Sequence, residues 1–209
     1  MIKVCLADNY PVITYGINAY FKDHSEIAIQ FTVEDFSSVK ETLKTNEIDV
    51  LILDLELEGF SSIFEIKSLL RKYPKTKIIV FSGLNEQIYA PNSIKAGVSG
   101  YINKKEEMAV IEDAIINVHG GEIIMSDEIA NNLSLLAKQS KSERLYRKLS
   151  NREIEVLRYL SAGKKNNEIA EILSLDEKTI STYKLRLLMK LNVTNLVDLI
   201  NTAKSRESG

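Results

Sequence analysis

The chain has 209 residues, 44% of them apolar and 27% charged, an ordinary globular composition with length enough for two small cores. Its one cysteine, Cys5, lies in the apolar run Ile2 to Leu6; it excludes a disulfide framework and reads as a buried core residue in a reducing compartment. No run reaches the roughly 18 to 20 apolar residues of a membrane helix and no signal-peptide pattern opens the chain, so a cytoplasmic protein with no membrane partner is expected.

The net charge of −2 conceals an asymmetry. Residues 141–209 hold 14 Lys and Arg against 9 Asp and Glu, net +5, whereas residues 1–140 hold 13 against 20, net −7. An acidic front and a basic back imply different partners, and basic charge on folded sequence suits nucleic acid.

In chain order, β-branched runs at 2–7, 28–33, 50–53, 77–81 and 100–102 predict strands, and the helical spacing of 12–22, 37–46, 61–73, 88–95 and 106–118 predicts helices between and after them. Five such units imply a doubly wound α/β fold, a parallel sheet with helices on both faces and a crevice at the carboxyl ends of the strands. The text turns polar over 126–148, which predicts a linker between a first domain, 1–125, and a second, 149–209. Beyond it only helices are expected, at 151–162, 167–173, 177–191 and 195–204. Ser150 with Glu153 forms a capping-box pattern, Gly163 closes the first of these helices, and Asp176 suits the N-cap of the third. The short break Ser174-Leu175-Asp176 has the size of a helix-turn-helix turn.

Four chemically useful side chains fall at strand ends: Asp8 after the first strand, Asp54 after the third, Ser82 at the end of the fourth and Lys104 beyond the fifth. A parallel sheet brings such positions to one crevice. Together they suit phosphoryl chemistry: carboxylate oxygens for Mg²⁺, Asp54 as nucleophile, Ser82 as donor to phosphoryl oxygens and Lys104 as a neutralising charge. His24 and His119 stand apart beside polar, turn-like residues, where surface or capping roles are expected.

Over residues 1 to about 125 the sequence resembles the receiver domains of two-component response regulators. The resemblance rests on Leu6-Ala7-Asp8-Asn9-Tyr10-Pro11, Asp49 to Leu55, Phe81-Ser82-Gly83 and Lys95 to Lys104. It implies the strand order 2-1-3-4-5, phosphate transfer from a cognate histidine kinase to Asp54, and a switch in which Ser82 is drawn to the phosphate while Tyr101 rotates inward. The Mg²⁺ ligands it implies are Asp8, Asn9, Asp54 and the backbone carbonyl of Glu56. Asn9 stands where the family usually has a second acid, which weakens the expected Mg²⁺ affinity. Glu58 precedes Gly59 where proline is common and, with Glu56, adds negative charge beside the site.

The back half resembles the helix-turn-helix domain of the NarL/FixJ, or LuxR-type, regulators. The carrying text is Leu149 to Leu157, Gly163 to Ala170, Lys178 to Lys184 and Lys190-Leu191; Lys178 to Leu188 is especially similar to the BvgA/EvgA type. On a helix over 177–191, Ile180, Tyr183, Leu187, Leu188 and Leu191 form an apolar face and the remainder points outward. That outer face predicts a major-groove helix, with Lys165, Lys178, Lys184 and Arg186 on phosphates and Ser181, Thr182 and Leu185 at base edges, Leu185 being equally suited to the core. One such domain is small, so a homodimer is expected, with Leu196, Val197, Leu199 and Ile200 serving either its contact or the core.

The combined reading is a DNA-binding transcription regulator, not an enzyme in the ordinary sense, controlled at Asp54 through dimerisation or domain release. RNA polymerase is a possible further partner. Two alternatives stay open: a phosphorylation-independent regulator, favoured by Asn9 and Glu58, and a phosphatase or phosphotransferase using Asp54 and Glu56, disfavoured because that family has aspartate at both positions.

Overall fold

The computed structural model describes residues 1–127, 129–131, 149–191 and 193–204. Most of the expected linker, 126–148, therefore lies outside the described residues. The chain divides into two compact units, one of Met1–Phe60, Phe64–Gly83 and Ser93–Ser126, the other of Ser61–Ile63, Leu84–Asn92 and the described residues from Asp127 onward.

The front of the chain alternates strand and helix: β1 (Ile2–Ala7), α1 (Pro11–Phe21), β2 (Ile27–Val33), α2 (Phe36–Thr45), β3 (Val50–Leu53), α3 (Ile63–Lys72), β4 (Lys77–Ser82), α4 (Glu86–Ala96), β5 (Gly100–Asn103) and α5 (Met108–His119). The five strands are parallel and lie in the order β2-β1-β3-β4-β5. The chain moves one way from β1 to β2 and the other way from β2 to β5, so right-handed crossovers put α1 and α5 on one face and α2 and α3 on the other. Alternation along the strands divides the core to match. Ile2, Val4, Leu6, Val50, Ile52, Ile79, Phe81 and Ile102 pack with Ile17 and Phe21 of α1 and Ile111, Ala114, Ile115 and Val118 of α5. Strand β3, between two neighbours, is buried at all four residues, which explains its unbroken apolar text.

Local chemistry fixes several boundaries. Pro11 opens α1, where its missing amide costs nothing. Asp35 caps α2 by accepting from the backbone and hydroxyl of Ser38 and the hydroxyl of Ser37, and these bonds pull its carboxyl down to about 2. At the sheet edge Ile124 adds a single parallel bridge to β5, its amide donating to Ser99 O and its carbonyl accepting from Tyr101 N. That addition was not foreseen, since one paired residue carries no periodicity. His24 is not isolated either. Its Nδ1 accepts from the amides of Glu26 and Ile27, closing the turn into β2, and its Nε2 lies 3.1 Å from Glu112 of α5.

The helical unit contains α6 (Asn151–Ser161), α7 (Asn166–Leu173), α8 (Glu177–Lys190) and α9 (Leu196–Lys204). The Ser150 capping box forms as expected: the Ser150 hydroxyl accepts from Glu153 N while Ser150 N donates to the Glu153 carboxylate. Glu153 is nearly buried, and burial works against its charge. Lys190 at 2.8 Å and the Ser150 bonds outweigh that cost and hold its pKa below the ordinary value, tying the end of α8 to the start of α6. Gly163 closes α6 at φ 78°, a conformation a side chain would strain. Ile154, Leu157, Ile169, Leu173, Ile180, Leu187, Leu199 and Ala203 are all buried and provide the shared core. The turn between α7 and α8 passes through Ser174 in the left-handed region, φ 53°, and Asp176 caps α8 through Thr179 N and Oγ1.

Candidate functional site

The sheet itself assembles the first site. The amide of the residue after each strand bonds to the end of a neighbouring strand: Asp8 N to Val33 O, Asp54 N to Ala7 O, and Lys104 N to Ser82 O, each at 3.0 Å. Asp8, Asp54 and Lys104 are thereby held at one end of the sheet, where the strand order reverses.

Their side chains meet. Lys104 Nζ lies 2.6 Å from Asp8 Oδ2 and 2.8 Å from Asp54 Oδ2. Asp54 Oδ1 accepts from Glu56 N and Asp8 Oδ1 from Tyr10 N. Both aspartates are about 1% exposed. Burial is the largest influence on Asp54 and raises its pKa; Lys104 and the Glu56 amide pull the other way without cancelling it. For Lys104 burial disfavours the ammonium, but Asp54 and then Asp8 outweigh it and raise its pKa.

The geometry fits a small hard cation. Asp8 Oδ2 is buried and has a close ion pair with Lys104 but no bond of hydrogen-bond geometry, so it keeps lone pairs to spend. Among the described residues no three His, Cys, Asp or Glu side chains converge. A cation here would have two carboxylates, completed by neutral oxygens, a set that Mg²⁺ accepts. Asn9 is exposed directly after Asp8. Glu56 is half-buried and Glu58 exposed; the Glu58 carbonyl accepts from Phe36 N, and Gly59 makes the following turn at φ 76°.

Ser82 is fully buried at the end of β4, in register with Asn103. Tyr101 opposes Val80, on the face of the sheet that also carries Ser82. It is 3% exposed, so the ring is already inside.

A second candidate surface lies on α8. Lys178, Ser181, Thr182, Leu185 and Arg186 are exposed, as is Lys165 at the start of α7. Leu185, equally suited to the core by its sequence, is 58% exposed and points outward. Lys184 is half-buried instead of outward. It stands one turn beyond buried Ile180 and three residues before buried Leu187, so its stem runs along the packed stripe. The Ser181 hydroxyl donates to Glu177 O and accepts from Asn166 Nδ2, and the Thr182 hydroxyl donates to Lys178 O. On α9, Leu199 belongs to the core while Val197 is 66% exposed.

The comparisons agree with both halves. The family described as "Response regulator receiver domain" matches residues 4–116, and "Bacterial regulatory proteins, luxR family" matches 147–203. The chain belongs to the response regulators that join a receiver domain to a LuxR-type DNA-binding domain. It is 34% identical to the Fimbriae Z protein of Salmonella typhimurium LT2 over 98% of this chain and 97% of that one. It is 28% identical to the response regulator UvrY of Escherichia coli K12, over 97% and 94%. A structure of RcsB from Salmonella enterica serovar Typhimurium, bound to promoter rprA in the presence of phosphomimetic BeF3−, superposes with TM-score 0.78 at 25% identity, covering 98% of this chain and 99% of that one.

Proposed function

We propose that this regulator binds DNA as a pair of chains and that phosphorylation of Asp54 by a histidine kinase governs the pairing. The observation that carries the reading is the convergence of Asp8, Asp54 and Lys104, with Lys104 within 2.8 Å of both carboxylates. An Asp54 oxygen attacks phosphorus, the bond from phosphorus to the donor histidine nitrogen breaks, and the imidazole leaves with the electron pair. Lys104 then neutralises the new phosphoryl oxygens and Ser82 donates to one of them, while Tyr101, buried on the same face, responds to the movement of Ser82. Asp8, Asp54, the Asn9 amide oxygen and the Glu56 carbonyl would hold Mg²⁺, which supplies charge neutralisation for an incoming phosphate.

For DNA, Lys165, Lys178, Lys184 and Arg186 are the phosphate contacts, Lys184 reaching out from its half-buried stem. Ser181 and Thr182 have committed their hydroxyl protons to the helix backbone. They would therefore read base edges as acceptors, toward the amino groups of adenine or cytosine, and Leu185 suits a thymine methyl. A structure of RcsB bound to a promoter in the presence of a phosphate mimic supports a DNA-bound, phosphorylated state here.

Intact-mass spectrometry after incubation with acetyl phosphate and Mg²⁺ tests the chemistry. The chain should gain one phosphoryl group and the Asp54→Asn variant none. A chain that gains none favours the second reading, a phosphorylation-independent regulator, for which the uncharged Asn9 is the specific support.

A further inference from the structure

One side chain at the rim of the crevice has no part in the chemistry described so far. Tyr10 precedes Pro11, and a residue before proline is confined to extended backbone; Tyr10 has φ −93° and ψ 109°. In this conformation its amide turns inward and donates to Asp8 Oδ1 at 2.8 Å. Its ring stands over Lys104, with Nζ 4.8 Å from the ring centroid, while the buried ring of Phe81 lies 5.8 Å from the same ammonium. Lys104, between these rings and the two carboxylates, is only 13% exposed, although Tyr10 itself is 50% exposed. Among the described residues the Tyr10 hydroxyl makes no hydrogen bond, so the contact belongs to the ring.

We propose that Tyr10 is a positioning residue for Lys104, its ring confining the ammonium to the crevice where the phosphoryl group arrives. This rests on the reading of Asp54 as phosphoacceptor. The lysine stem is flexible and its ammonium strongly hydrated, so an unconfined Lys104 would spend part of its time in water. An aromatic face attracts the cation and excludes water on the side the carboxylates leave open. With acetyl phosphate as donor, an Asp54 oxygen bonds to phosphorus as the bond from phosphorus to the acetate oxygen breaks and acetate leaves with the electron pair. Lys104 has to pass from the carboxylates to the phosphoryl oxygens during that exchange, and the ring keeps it within reach.

The test compares Tyr10→Phe and Tyr10→Leu in the full chain by the rate of phosphoryl uptake from acetyl phosphate, with thermal melting of each variant alongside. Phenylalanine keeps the π-face and should match the parent. Leucine keeps apolar bulk without the π-face and should slow uptake about two- to fivefold at unchanged melting temperature, the factor that an exposed cation–π contact represents. Uptake by the leucine variant at the parent rate overturns the proposal, as does slowing that tracks a loss of stability or that phenylalanine fails to rescue. A parent chain that takes up no phosphate overturns the underlying reading instead, and the proposal with it.

Discussion

At Asp54 burial and charge oppose each other, and burial wins: the carboxyl is held above its ordinary pKa although Lys104 lies 2.8 Å away. A carboxyl that binds its proton more tightly folded than unfolded contributes stability below the unfolded pKa and loses it as pH rises through the folded one. Where Asp54 is ionised, its burial is therefore a cost to stability. Asp54→Asn should raise the unfolding free energy at pH 7 by about 0.5 to 2 kcal/mol, in the range of function-relieving substitutions, with Asp8 still present to pair with Lys104. The gain should shrink as pH falls through the raised pKa. Urea unfolding at pH 7 and at successively lower pH measures this, and an Asn variant less stable at pH 7 would mean the Lys104 pair outweighs burial. The residue types at this site were legible because the strand-end rule needs only strand positions. The contacts of Tyr10 with Lys104 and of His24 with Glu112 were not, since nothing in the intervening sequence encodes which surface side chains meet.

On α8 the same fourteen residues serve two faces, and the faces should respond differently to truncation. Leu185 is 58% exposed and Ile180 fully buried. Leu185→Ala should leave stability within about 0.5 kcal/mol yet weaken binding to a duplex selected from a randomised library. Ile180→Ala should cost about 2 to 5 kcal/mol. Thermal melting beside a binding titration separates the two, and a large stability loss at Leu185 would show it to be core. Existence and type of elements were readable from periodicity over β1 to α5 and α6 to α9, but not for the single bridge at Ile124 or for residues 127 and 129–131, which are helical where a linker was expected. Ends were less so: α3 starts at Ile63, two residues after the spacing suggested, and α4 starts at Glu86 and runs through Pro91. The helix expected at 88–95 already ran through Pro91, and it does so in the structure; what the spacing missed is the first turn at Glu86 and Gln87. Lys184 went astray for another reason: a charged residue was assigned outward by type, although its position along the helix puts the stem on the packed stripe.

Over the whole molecule the acidic front and basic back divide the labour. The DNA-binding end carries net +5 and the receiver end net −7, and phosphorylation of an ionised carboxylate would replace its single charge with about −2, making the acidic end more acidic by about one charge. On the proposed reading, pairing of chains comes from a change of surface in the receiver unit and not from simple neutralisation. A single helix-turn-helix domain reads only one half-site, so the proposed pair would be the species that recognises an operator. The most direct measurement is sedimentation velocity of the full chain with Mg²⁺ and beryllofluoride, beside the Asp54→Asn variant under the same conditions. Control through Asp54 predicts a shift from monomer to dimer in the parent alone. An identical sedimentation coefficient for the two proteins, with and without the phosphate mimic, would contradict it.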